Sequence, residues 1–92
     1  MIQGFLDRAT ERLWHGERVR QFEPFAAQAF RKLDMLNTAT VLADLKVPPG
    51  NQLETLSGDR KGQHSIRINR QWRICFVWTV SGPDQVEIVD YH

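Results

Sequence analysis

The sequence has little that would staple, anchor or extend a chain. It holds one cysteine, Cys75, so no internal disulfide can form. The start, "MIQGFLDRATER", turns polar within a few residues and does not read as a secretion signal. No apolar run is long enough to span a membrane. Together these point to a cytoplasmic setting with no membrane partner. Cysteine and histidine do not cluster as zinc ligands, and no Asp-rich loop offers a calcium or magnesium cage. The expectation is therefore no metal and no cofactor. Repeats, low-complexity stretches and linkers are missing as well. An excess of one charge sign is missing too: the formal net charge is +1, too small to point to any partner.

What is present fits one domain over residues 1–92. A chain of this length buries about 60–65% of its unfolded surface, enough for one core and a shallow site. The first residues, "MIQGF", read as a short strand, and "DRATERLWHG" as a short helix stopped by Gly16. Phe22, Phe25, Ala29, Leu33 and Leu36 recur at steps of three and four, which predicts a helix over residues 24–38 with Pro24 in its first turn. "TATVLADLK" holds a further turn capped by Thr38 or Thr40, and "VPPGNQ" is a turn.

The second half alternates with a period of two. Three runs, "HSIRIN", "WRICFVWTV" and "VEIVDYH", are separated by connectors at residues 69–71 and 81–84. The fold class is α+β. A small antiparallel sheet of about four to five strands carries two to three N-terminal helices on one face.

Register brings the charges together. A loop at residues 69–71 pairs Ile66 with Ile74 and Arg67 with Arg73, with the large apolar groups on the opposite face. Two like charges side by side need a compensating anion. A phosphate would serve, and so would Asp90, Glu54 or Glu87. If residues 81–84 form the next loop, Arg73 lies opposite His92 and Cys75 opposite Asp90. A loop one residue shorter sets Tyr91 opposite Arg73. From Arg60 to Arg73 the chain is basic and free of acids, and Arg60, Lys61, Arg67 and Arg70 read either as a localised anion site or as solvated charges that keep the sheet edge from aggregating.

Arginine, histidine and tyrosine form a set suited to RNA cleavage. A base takes the 2′-OH proton, the oxygen attacks the adjacent phosphate, a cation holds the growing charge, and an acid protonates the leaving oxygen. Histidine titrates near neutral pH, and arginine matches phosphate geometry with paired donors. DNA lacks the 2′-OH. His64, in the same strand as Ile66 and Ile68, reads first as a packed or edge histidine, and Cys75 as a sheet residue.

"LETLSGDRKGQHSIRINRQWRICFVW" followed by "VEIVDYH" resembles the HigB-type toxins of the RelE/ParE superfamily in bacterial toxin–antitoxin modules. The resemblance spans nearly the whole chain. It implies a ribosome-dependent mRNA endonuclease, neutralised by a HigA-like helix-turn-helix antitoxin, with operator DNA bound only through that antitoxin. Carried onto this sequence, it implies that Arg73 stabilises phosphate, that Tyr91 and His92 form the terminal catalytic pair, and that Asp90 supports them. Arg60 and Lys61 match the basic loop that meets RNA. Glu54 and Ser57 stand where better-known members carry histidine and lysine, which implies weaker or conditional cleavage. Two other readings are a toxin of the same fold that inhibits DNA gyrase and an RNA-binding module without cleavage. The terminal Tyr-His favours the nuclease, and Trp72, Phe76 and Trp78 on the core face leave few platforms for bases. If the terminus works on phosphate, a tag fused after His92 impairs cleavage more than one before Met1; equal activity of the two fusions would reduce "DYH" to a strand end.

Overall fold

The computed structural model describes residues 1–90. Helix α1 (Arg8–Trp14) starts at Asp7, whose carboxylate accepts the Thr10 amide at 3.3 Å, and gives way at Gly16, where φ is +86°. Helix α2 (Ala26–Thr38) carries the expected stripe: Phe22, Phe25, Ala29, Leu33 and Leu36 are all buried. It begins two residues later than the spacing suggests. Residues Arg20–Phe25 form a tighter 3-10 helix containing Pro24. The physical reason lies in the aromatics. Phe22 and Phe25 both pack on Trp72, with ring centroids 5.8 and 5.0 Å away, and Phe25 leaves helical geometry to do so. A further 3-10 turn, Leu42–Lys46, is capped by Asp44 rather than by a threonine. The Asp44 carboxylate accepts the Thr40 and Val41 amides and the Thr40 hydroxyl, which together hold its pKa below the usual carboxylate value.

Four antiparallel strands follow in sheet order: β1 (Glu54–Thr55), β2 (His64–Arg67), β3 (Trp72–Thr79) and β4 (Gly82–Asp90). Ile66, Ile68, Ile74, Phe76, Val86 and Ile88 face the helices and complete the core with Leu33, Leu36 and Leu45. The α+β class and the helix-covered sheet are as expected. The segment "MIQGF" is not a full strand. It runs parallel to β4 with a single bridge, Phe5 to Val86, and hydrogen bonds from the Gln3, Leu6 and Val86 amides. That contact shields the β4 edge.

The β2–β3 register is the one the sequence dictates: Ile66 opposite Ile74 and Arg67 opposite Arg73. Asn69 fixes the intervening loop, its side-chain oxygen accepting the Gln71 and Trp72 amides at 2.9 Å each. The β3–β4 register departs from both expected versions. Val89, not His92 or Tyr91, lies opposite Arg73; Glu87, not Asp90, lies opposite Cys75; Asp90 lies opposite Trp72. Two features cause the shift. The turn is Val80-Ser81, because Thr79 already pairs with Gly82. At Gly82 φ is +129°, and a Cβ there would collide with the Met1 carbonyl. A bulge between Cys75 and Val77 then inserts one residue into β4 at Gln85, whose φ is +51°. Without that extra residue Val86 and Ile88 would face outward; with it they share the core face with Phe76 and Ile74.

Thr10 joins the two layers. Its buried hydroxyl accepts the Ile88 amide at 2.9 Å and ties α1 to β4. Thr10→Val keeps the shape and removes the acceptor, leaving a buried amide unpaired. Urea unfolding should show a loss of about 1–3 kcal/mol; an unchanged midpoint would assign the hydroxyl no structural weight.

Candidate functional site

The site forms on the sheet face away from the helices. Alternation places Ser65, Arg67, Arg73, Cys75, Glu87 and Val89 there. That face is not bare, for Ser65 and Cys75 are fully buried and Arg73 is only 6% exposed. Two side chains draw the chain between Gln52 and Arg60 across it. Arg73 reaches the Gln52 carbonyl, and Arg60 Nη1 meets Glu87 Oε1 at 2.9 Å and Gln63 Oε1 at 3.1 Å.

A guanidinium so deeply buried needs acceptors. Arg73 Nε donates to Ser65 Oγ at 2.8 Å, and Nη2 donates to the Gln52 carbonyl at 2.6 Å and the Ser65 carbonyl at 3.3 Å. Gln52 can present its carbonyl because it sits in left-handed geometry, φ +46°, directly after a locked residue. That residue, Asn51, is fully buried. Its amide donates to the Leu45 and Val47 carbonyls, and its oxygen accepts from Lys32 Nζ. Burial is the main cause that lowers the Lys32 pKa.

Of the three acids that the sequence offers for the arginine pair, Glu54 is the one near Arg73. Glu54, opposite Ser65 on β1, brings Oε1 to 3.8 Å from Arg73 Nη2, and its side chain remains 48% exposed. Glu87 pairs with Arg60. Asp90 accepts from Gln71 Nε2 at 2.9 Å and lies in register with Trp72. Among the described residues, the carboxylate that approaches Arg73 of the Arg67–Arg73 pair is thus Glu54. Arg67 is half-buried beside Arg73, Lys61 and Arg70 are exposed, and Arg60 is partly covered. Tyr91 and His92, the expected catalytic pair, lie outside the described residues.

His64 stands apart. It stacks on Phe76 with centroids 6.2 Å apart, and it lines a groove of about 400 Å³ with Leu42, Ala43, Lys46, Leu53 and Thr55 on the helix side of the sheet. Strand alternation separates it from the Arg73 face. Two contributors escaped the sequence reading. Ser65 carried a usable signal, since it lies on the outward face diagonal to Arg73. Gln52 carried none, because it acts through its backbone.

Cys75 lies opposite Ser65 with its thiol pushed up in pKa, chiefly by burial, with Glu87 adding and Arg60 and Arg73 opposing. A thiol that is buried and mostly protonated is a poor nucleophile. Cys75 should resist iodoacetamide at neutral pH in the folded protein and react after denaturation; rapid labelling of the native protein would contradict this placement.

Comparison with known proteins agrees with this architecture. Residues 3–92 match the family model for the HigB-like toxin, described as the RelE-like toxin of the type II toxin–antitoxin system HigB. The chain is 38% identical over 80 residues to Toxin HigB-1 of Vibrio cholerae, covering 85% of this chain and 84% of that protein. Its backbone is similar to the YoeB–YefM complex from Staphylococcus aureus, with TM-score 0.62 and 16% identity over 100% of this chain and 98% of that one. At that identity the likeness concerns the fold alone. On the match along almost its whole length, the chain belongs to the HigB-like, RelE-like toxins of type II toxin–antitoxin systems.

Proposed function

We propose that this toxin is a ribosome-dependent endoribonuclease that cuts translated messages by attack of a 2′-OH on the adjacent phosphate. The observation that carries the reading is the geometry around Arg73: Ser65 Oγ and the Gln52 carbonyl hold its guanidinium, and Glu54 Oε1 lies 3.8 Å away on the same face. These contacts set a cation suited to phosphate oxygens beside a carboxylate suited to accept a proton. Glu54, half-exposed on the edge strand, is the acceptor for the 2′-OH proton. The family resemblance implies Tyr91 and His92 as the terminal catalytic pair with Asp90 in support; on this reading His92 protonates the leaving 5′-oxygen and Tyr91 positions the message. Arg67, Arg60, Lys61 and Arg70 contact the message backbone. The products are a 2′,3′-cyclic phosphate and a 5′-hydroxyl end.

A net charge of +1 supports few phosphate contacts, so free RNA binds weakly and the ribosome supplies position. The reaction takes place in the cytoplasm. A type II toxin has an antitoxin partner; here a HigA-like helix-turn-helix protein fills that role and carries the pair to operator DNA.

In a translating extract, Arg73→Ala should reduce cleavage about 100- to 1,000-fold. Glu54→Gln should reduce it about 100-fold with little effect on stability. Unchanged cutting by an Arg73→Ala, His92→Ala double variant would show that this is not the site. DNA damage without message cleavage on expression would favour the gyrase reading instead.

A further inference from the structure

We infer that Ser65 is a positioning residue for Arg73, holding the guanidinium in its phosphate-facing orientation through a neutral hydroxyl on Nε. The inference rests on the cleavage reading above and adds to it a residue that never touches the message.

The geometry supplies the reasons. Ser65 sits at the centre of the outward face, opposite Cys75 on β3 and opposite Glu54 on β1. It offers Arg73 two acceptors from one residue. Oγ takes Nε–H at 2.8 Å and the carbonyl takes Nη2–H at 3.3 Å. The Gln52 carbonyl takes Nη2–H from the other side at 2.6 Å. Any change of Arg73 rotamer breaks all three contacts together. Ser65 is fully buried, so water has no route to replace the hydroxyl if it is removed. A carboxylate at this position would bind Nε more strongly but would neutralise the charge that phosphate must meet. A serine therefore orients Nε without adding a negative charge at that atom. Glu54, on the neighbouring strand and level with Ser65, approaches the same Nη2 atom, so the hydroxyl also sets the spacing between cation and carboxylate.

The experiment is a double-mutant cycle on programmed ribosomes, with thermal unfolding of each variant as a fold check. Ser65→Ala should lower kcat about 10- to 100-fold with KM within about twofold, the scale of a displaced catalytic group. Added to Arg73→Ala, it should change kcat by less than about twofold, because the group it orients is gone. In the native protein the Arg73 Nε–H resonance should be resolved and protected from solvent exchange, and Ser65→Ala should abolish that protection. A kcat within twofold of native for Ser65→Ala, or an equal loss in both backgrounds, overturns the inference. If Ser65→Ala does not fold, the native resonance decides: an Nε–H in fast exchange overturns it. Full cleavage by Arg73→Ala would instead remove Arg73 from the catalytic site, an outcome distinct from the Nε–H exchange result, which reports only whether Ser65 holds the guanidinium.

Discussion

A buried guanidinium organises one side of this protein. Arg73 carries a guanidinium, and its place in the middle of the sheet removes it from water. Its donors must therefore be met by the chain. Meeting them fixes the edge of β2 through Ser65 and draws the segment before β1 inward through Gln52. Gln52 in turn depends on Asn51, which closes the loop from Leu45 and reaches α2 through Lys32. One side chain thus links the sheet, the edge strand and the main helix.

The partners of Arg73 also shape its chemistry. Three of its contacts are to neutral oxygens, and the carboxylate of Glu54 stands back at 3.8 Å. A close bidentate carboxylate would have made an ordinary structural ion pair. Elsewhere on the same face a close ion pair exists, with Arg60 Nη1 donating to Glu87 Oε1. Arg60 meets its carboxylate at 2.9 Å, whereas Glu54 stands 3.8 Å from Arg73. Arg60 looked equivalent to its basic neighbours in the sequence, and only its contact with Glu87 divides it from them.

Much of this was legible beforehand because burial constrains strands so tightly. The stripe Phe22, Phe25, Ala29, Leu33, Leu36 and the pairing of Arg67 with Arg73 both followed from periodicity, since a slip of one residue would expose the whole core face. The start of α2 did not follow. The Phe22 and Phe25 rings are drawn to Trp72, some fifty positions away, and no local preference encodes that contact. The β3–β4 register failed for a similar reason. A bulge at Gln85 has no strong local signature, because glutamine rarely adopts a positive φ. It is stabilised by the need to turn Val86 and Ile88 inward.

The sequence by itself determined the class of the fold, the faces of its strands, the family and the presence of an arginine pair on the outer face. Those depend on short-range periodicity and on motif residues that each position carries alone. The tertiary structure decided which acid meets Arg73, which residues hold it, and that His64 faces the opposite side of the sheet. Each of these depends on a backbone carbonyl, a bulge or a contact between distant segments. Such features have no side-chain pattern, and they exist only once the chain has closed around its core.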